Sequence, residues 1–261
     1  MHQRVDFSAN ASIYDRRHGT TLALEVARDL ASMAKLPSGG SVLDIAAGTG
    51  RVAIAFATLG YKAVALDLAL PMLNELRRKA PERQIHAVVG EAERLPFPPD
   101  RFDAVILARI LYLTADWQLA LQDACKVLKP GGCLFHEWGN GAPDEEWVQI
   151  REKARTLFDA AGVKTPFHPG ARSEEEIDDF LVSLGFQRAN ELRTGPGPAM
   201  TLREFVEKIV SGEFSYIWNV PKHLQESCLP RLKDWAENSF RLDDLVPMPQ
   251  ELRWTIYRKR Q

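Results

Sequence analysis

The amino-acid sequence predicts an α/β fold: a doubly wound, mostly parallel sheet of seven strands, with helical insertions. Three observations carry this expectation. Short apolar runs alternate with stretches of helical periodicity between residues 41 and 138. A glycine-bearing turn follows the first of those runs, and an acidic residue closes the second.

The elements follow in order. Residues 22–36 place apolar side chains at helical spacing, and Pro37-Ser38-Gly39-Gly40 stops that helix. Residues 41–45, Ser-Val-Leu-Asp-Ile, are short and mostly apolar, as a strand covered on both faces should be. They lead into Ala46-Ala47-Gly48-Thr49-Gly50, then a helix over 51–59 that ends at Gly60. A strand over 62–66 closes on Asp67, and a helix over 71–80 follows. Strands are expected at 85–89 and 102–107, with a proline-containing loop over 95–100 between them. A helix over 117–128 precedes the sharp turn Lys129-Pro130-Gly131-Gly132 and a fifth strand at 133–138.

Helical stretches at 144–161 and 202–240 lie outside the alternation, whereas 173–184 and 185–194 resume it as helix and strand. A last strand is expected at 251–259. The resulting organisation is N-terminal cap helices with the ligand-binding core in 1–142, first lid helices in 143–172, core helix and strand in 173–196, a second lid insertion in 197–244, and the final core strand in 245–261. The two insertions are read together as a lid over the strand ends.

Composition narrows the function. The 261 residues are 45% hydrophobic and 26% charged with a formal net charge of -2, which offers no positive field for nucleic acid or an anionic membrane. A small-molecule partner is expected. The basic run Arg258-Lys259-Arg260 reads as a solvated strand end. Cys125, Cys133 and Cys228 are widely spaced and form no C-x-x-C pair, which argues against a disulfide framework and a zinc site. The sequence shows neither a signal-peptide pattern nor an apolar run long enough to span a bilayer, so a cytoplasmic location is the expectation.

In an open α/β sheet, ligands bind beyond the carboxyl ends of the strands at the topological switch point, here the turn 46–50. Gly48 and Gly50 permit the dihedrals and close approach that a ligand lying on the main chain requires. Asp67, about 20 residues on, is placed to accept hydrogen bonds from ribose hydroxyls. Together they indicate an adenosine-containing cofactor. Gly48-x-Gly50-x-x-Ala53 also fits the loose dinucleotide pattern, which keeps an NAD(P)-dependent oxidoreductase in view. Asp44 tilts the choice: a carboxylate at the loop's lip repels a pyrophosphate but attracts the ammonium or sulfonium of S-adenosylmethionine (SAM).

The ordered motifs resemble those of the class I SAM-dependent methyltransferases, within the small-molecule group that includes the ubiquinone and menaquinone biosynthesis C-methyltransferases. The resemblance covers residues 14–138. It rests on Val42-Leu43-Asp44-Ile45-Ala46-Ala47-Gly48-Thr49-Gly50, Ala65-Leu66-Asp67-Leu68 through Met72-Leu73, Gly90-Glu91-Ala92-Glu93-Arg94-Leu95-Pro96-Phe97, and Leu128-Lys129-Pro130-Gly131-Gly132. It implies a Rossmann-like methyltransferase fold with SAM as donor and S-adenosylhomocysteine as product. It also implies roles: Ala46, Ala47, Gly48 and Gly50 under the methionyl part, Asp67 on the ribose, Leu68 and Met72 flanking the adenine, Glu91 and Ala92 at its amino group, and Ala108 with Arg109 near the sulfonium. Tyr14, in Tyr14-Asp15-Arg16-Arg17-His18, is similar to a segment that covers the cofactor in related enzymes. Two positions depart from the common pattern: Ala46 stands where many members have glycine, and Glu91 replaces the commoner aspartate.

Methyl transfer from a sulfonium is an in-line displacement, so the protein must align the acceptor, exclude water and, where needed, take a proton. Candidate catalytic groups are His136, Arg109 and Tyr112, at the ends of the fifth and fourth strands. His136 and Glu137 are adjacent on a strand and point to opposite faces. His168 and His223 fall in the insertions, and no metal triad emerges. Trp147, Phe158, Phe167, Phe205, Phe214, Tyr216, Trp218 and Trp235 supply the lid with aromatics for a flat or lipophilic acceptor, or else form that region's own core. A SAM-binding protein without catalysis is the further alternative. Neither the acceptor atom nor the oligomeric state is legible.

Overall fold

A computed structural model describes residues 7–18, 22–82, 85–138, 145–163, 169–194, 199–246 and 253–259. The chain divides into two compact units, one formed by 18–139, 168–194 and 252–261, the other by 1–17, 140–167 and 195–251.

The larger unit is built on a seven-stranded sheet. Its strands are β1 (Ser41–Ile45), β2 (Lys62–Asp67), β3 (His86–Val89), β4 (Phe102–Ala108), β5 (Leu128–Trp138), β6 (Phe186–Arg193) and β9 (Arg253–Lys259), in the spatial order β3-β2-β1-β4-β5-β9-β6. Only β9 runs antiparallel to its neighbours, β5 and β6. The order reverses between β1 and β4, which are parallel partners with Ile45 opposite Leu107, and this reversal opens a crevice at their carboxyl ends.

Side-chain alternation divides the core into two layers. Val105 and Leu107 of β4 face the layer that contains Leu121 and Ala124 of α5 (Trp117–Val127) and Ile177 and Leu181 of α7 (Glu174–Ser183). Ala104 and Ile106 face the other, with Leu30 of α2 (Leu24–Met33) and Phe56 of α3 (Arg51–Thr58). Between β2 and β3 runs α4 (Leu70–Lys79). The turn expected at 129–132 is absorbed into β5 as an irregularity of register against β4, with Gly131 at φ 75°.

The second unit contains α1 (Ala11–His18), α6 (Glu145–Ala160), α8 (Leu202–Val210), α9 (Lys222–Ser239) and a small antiparallel pair of β7 (Met200–Thr201) with β8 (Leu245–Val246). Thr201 caps α8, its hydroxyl accepting from the Glu204 amide while the Glu204 side chain accepts from the Thr201 amide. Three expectations are corrected here. Residues 1–17 group with this helical unit and not with the sheet core. The stretch 202–240 is broken at Gly212 and Pro221 into α8, a short 3-10 turn at Ser215–Ile217 and α9. Residues 245–246 pair within the small sheet, so the seventh core strand begins at Arg253.

Most of the aromatic side chains assigned to an acceptor pocket are this unit's core. Trp147, Phe158 and Phe205 are buried among Ile150, Ile209 and Leu232, while Phe214, Tyr216, Trp218 and Trp235 pack partly buried around them. Phe167 and His168 lie outside the described residues.

Candidate functional site

The chain leaves β1 through three left-handed residues in five: Ala46 at φ 55°, Gly48 at φ 55° and Gly50 at φ 85°. The Gly50 amide donates to the Ala47 carbonyl at 2.9 Å, closing a tight turn directly onto α3. A Cβ on Gly50 would fall 2.6 Å from Cδ1 of Leu76, so both conformation and space demand glycine there. Ala46 adopts the same conformation with a Cβ, at a cost of about 1–2 kcal/mol. The backbone shape of the loop thus persists where the sequence departs from glycine.

Asp67 ends β2 and is tied to this loop. Its Oδ2 accepts from the Gly48 amide at 2.7 Å and its Oδ1 from the Ala69 amide at 2.8 Å. Burial raises its pKa, and the amide bonds oppose that rise. The Leu68 amide also acts on the carboxylate, which, with about four acceptor positions in all, keeps capacity for a ribose hydroxyl.

Asp44 does something other than the sequence reading assigned. It is buried on β1, and its Oδ2 accepts from the Ala53 amide in the first turn of α3 at 2.9 Å. Gly50, at the N-cap position, has no side chain to satisfy that donor, and Asp44 reaches across from the strand to do so. Burial pushes its pKa up to about 7. Its charge is turned inward toward the helix, so it no longer discriminates between cofactors as a carboxylate at the lip would.

Arg109 and His136 are corrected as well. Arg109 follows Ala108 at the end of β4 with φ 58°, and its guanidinium Nε donates to Oε1 of Glu137 at 2.7 Å. The other Glu137 oxygen pairs with the guanidinium of Arg51, the first residue of α3. Arg109 is therefore held in an ion pair and not presented as a catalytic cation. His136 is 1% exposed, and burial, followed by the charges of Arg253 and Arg188, pushes its pKa down to about 3. It is a neutral core imidazole with no partner at Nδ1 among the described residues, and its burial argues against a cleft-facing base. Tyr112 remains half-buried, its ring edge-on to Trp138 at 5.9 Å between centroids.

On the far side of β1 the expected adenine contacts separate. Leu68 is 54% exposed just beyond Asp67, whereas Met72 is 1% exposed and lies within the core. Glu91 is exposed and Ala92 is buried, in the short bridge that Glu91 makes with Arg94. Two residues escaped the sequence reading. Leu70 is exposed at the start of α4, and Val89, 52% exposed, is the register partner of Asp67 on β3. The signal for Val89 was its position: an apolar residue ending the strand next to the one that Asp67 ends. Tyr14 belongs to the helical unit, where it packs edge-on against Phe7 and Trp218.

A family model described as a methyltransferase domain matches residues 43–136. A demethylmenaquinone methyltransferase of Renibacterium salmoninarum is 41% identical over 96 residues, 37% of this chain and 40% of that protein. Its namesake from Thermus thermophilus is 37% identical over 131 residues, 49% of this chain and 54% of that protein. The chain thus matches about half the length of these relatives or less. The structure of Haemonchus contortus phosphoethanolamine N-methyltransferase 2 in complex with S-adenosyl-L-methionine superposes with a TM-score of 0.58 at 18% identity, over 97% of this chain and 57% of that one, a likeness of fold.

Proposed function

We propose that this chain, whose residues 43–136 match a methyltransferase-domain family, is a class I SAM-dependent methyltransferase that transfers the methyl group of SAM to a small, largely apolar or aromatic acceptor by in-line displacement. The observation that carries the reading is the bond from the Gly48 amide to Asp67, which fuses the left-handed loop and the ribose-ready carboxylate into one cradle. The cradle suits an adenosine-containing cofactor, and the match of residues 43–136 to a methyltransferase-domain family supports SAM over a dinucleotide.

When bound, the cofactor supplies an electrophilic methyl group on a cationic sulfur, so the protein provides position more than activation. Ala46, Ala47, Gly48 and Gly50 would hold the methionyl part, and Asp67 the ribose. Leu68, Leu70 and Val89 would give the adenine an apolar seat, with Glu91 and Ala92 at its amino group. Ala108 and the backbone of Arg109 would border the reacting methyl. Tyr112 is the group left to orient the acceptor or take its proton. The acceptor class rests on the relatives whose names specify demethylmenaquinone, an apolar ring compound, and on the lack of net positive charge.

Calorimetric titration of the purified chain with SAM, S-adenosylhomocysteine and NADH tests the cofactor, with binding expected for the two sulfur ligands only. Tritium from methyl-labelled SAM should then enter an apolar small-molecule fraction. Label confined to protein or RNA would overturn the acceptor reading, and binding of NADH alone would overturn the reaction.

A further inference from the structure

Gly170 lies closer to another stretch of main chain than any residue with a side chain could. A Cβ on it would fall 2.0 Å from the Leu111 carbonyl oxygen, 2.6 Å from that of Thr114 and 2.8 Å from the Tyr112 carbonyl carbon. All three are backbone atoms, which cannot swing aside as the end of a side chain can. The φ of Gly170 lies outside the left-handed region, so glycine is required here for space and not for conformation.

The approach is bonded as well as close. The Gly170 amide donates to the Tyr112 carbonyl at 3.1 Å, and the Ala171 amide to the Leu111 carbonyl at 3.0 Å. These bonds lay residues 170–171 along the turn that joins β4 to α5, and both stretches belong to the larger unit. Tyr112 sits on that turn, edge-on to Trp138 at the end of β5.

The two stretches are anchored unequally. Directly after Ala171 the Glu176 carboxylate accepts from the Arg172 amide at 2.9 Å, Ser173 caps α7, and Ile177 and Leu181 of α7 are fully buried. Residues 170–171 are thus fixed to a buried helix. The turn is held by Leu111 and Thr114, with Tyr112 and Leu113 between them only half-buried, so it is the part that an added Cβ would displace.

We propose that Gly170 is a positioning residue, whose lack of a side chain lets 170–171 seat the turn after β4 and so set the place of Tyr112. This rests on the reading of Tyr112 as the group that meets the acceptor. In Gly170→Ala the contact must open by about 1 Å, a displacement that should lower the rate of methyl transfer about 100-fold. SAM affinity should stay near that of wild type, because the cradle of 46–50 and Asp67 lies on the other side of the switch point.

The test labels the five tyrosines with meta-fluorotyrosine and follows them by fluorine NMR, with Tyr112 assigned through Tyr112→Phe. In Gly170→Ala the Tyr112 signal should move, while that of Tyr257, whose hydroxyl donates to Asp178 of α7, should hold its place. A fixed Tyr112 signal, or a Tyr257 signal displaced as far, would overturn the proposal. Failure of the variant to fold would also overturn it, since Gly170 would then serve the core as a whole. On the wild-type chain, the Gly170 and Ala171 amides should exchange with solvent about 100-fold more slowly than free amides, and fast exchange would remove the clamp. Turnover is read as transfer of tritium from methyl-labelled SAM to a naphthoquinol, an apolar aromatic probe, and an undiminished rate in Gly170→Ala would reject the positioning role. Absence of turnover in the wild type would count against the acceptor reading instead, and the fluorine signals would still decide whether Gly170 places Tyr112.

Discussion

The strand ends of the sheet differ on the two sides of β1. Toward β4 and β5 the charged groups are buried and satisfied by one another: Asp44 takes the Ala53 amide, and Glu137 takes Arg51 and Arg109. Toward β2 and β3 the surface is open, with exposed Leu68, Leu70 and Val89 around an Asp67 whose carboxylate still has accepting capacity. The first region keeps its shape through internal bonds, and the second presents exposed apolar area and acceptor capacity. Paired buried charges on one side and exposed apolar side chains on the other distinguish scaffold from candidate binding surface.

The largest expected effect probes that difference directly. Asp67→Ala removes the acceptor proposed for the ribose and leaves the Gly48 amide without its partner, so SAM affinity should fall about 100-fold, the scale of losing hydrogen bonds to a charged group. Asp44→Asn retains an oxygen for the Ala53 amide and should change SAM affinity by less than about threefold. Titration calorimetry on both variants decides it. Equal losses would erase the distinction between the two sides.

The scaffold side can be read by acid. His136 stays neutral in the fold until about pH 3 but takes a proton near 6.5 once unfolded, so its contribution to stability is present above 6.5 and lost as pH falls. Asp44 has the opposite sign: raised from 3.8 to about 7, it contributes stability at low pH that is lost as pH rises through 7. Between pH 7 and pH 5 each effect amounts to about 2 kcal/mol, and in the wild-type chain the two nearly cancel. Relative to wild type over that interval, His136→Leu should gain about 2 kcal/mol on acidification and Asp44→Asn should lose about as much. Urea unfolding at the two pH values measures both, and parallel behaviour of all three proteins would reject the assignment.

These regions also differ in how much of them could be read from sequence. The alternation of strand and helix, the loop 46–50 and Asp67 were legible because each depends on local spacing and on strands covered on both faces. The destinations of Asp44, Arg109 and His136 were not. Each depends on a partner 9 to more than 100 residues away: Ala53 for Asp44, Glu137 for Arg109, and Arg253 and Arg188 around His136. A carboxylate at a strand end has the same sequence signature whether it faces a ligand or caps the next helix. Leu70 and Val89 were missed for the converse reason, since an apolar side chain in an α/β core is expected to be buried and these two are exposed.

The smallest effect concerns the loop that both regions share. Ala46 adopts φ 55°, where its Cβ crowds the backbone, in the same turn as Gly48 and Gly50. Ala46→Gly relieves that crowding but adds freedom to the unfolded chain, so the net gain in stability should be only about 0.5 kcal/mol. Its effect on SAM should be smaller still, because the Ala47 amide already donates to the Leu66 carbonyl at 2.9 Å and holds the turn in place. A measured loss of stability in the glycine variant would mean that the Cβ of Ala46 contributes packing that outweighs its strain. The loop would then belong with the scaffold on the β4 side, and not with the open surface on the β2 side.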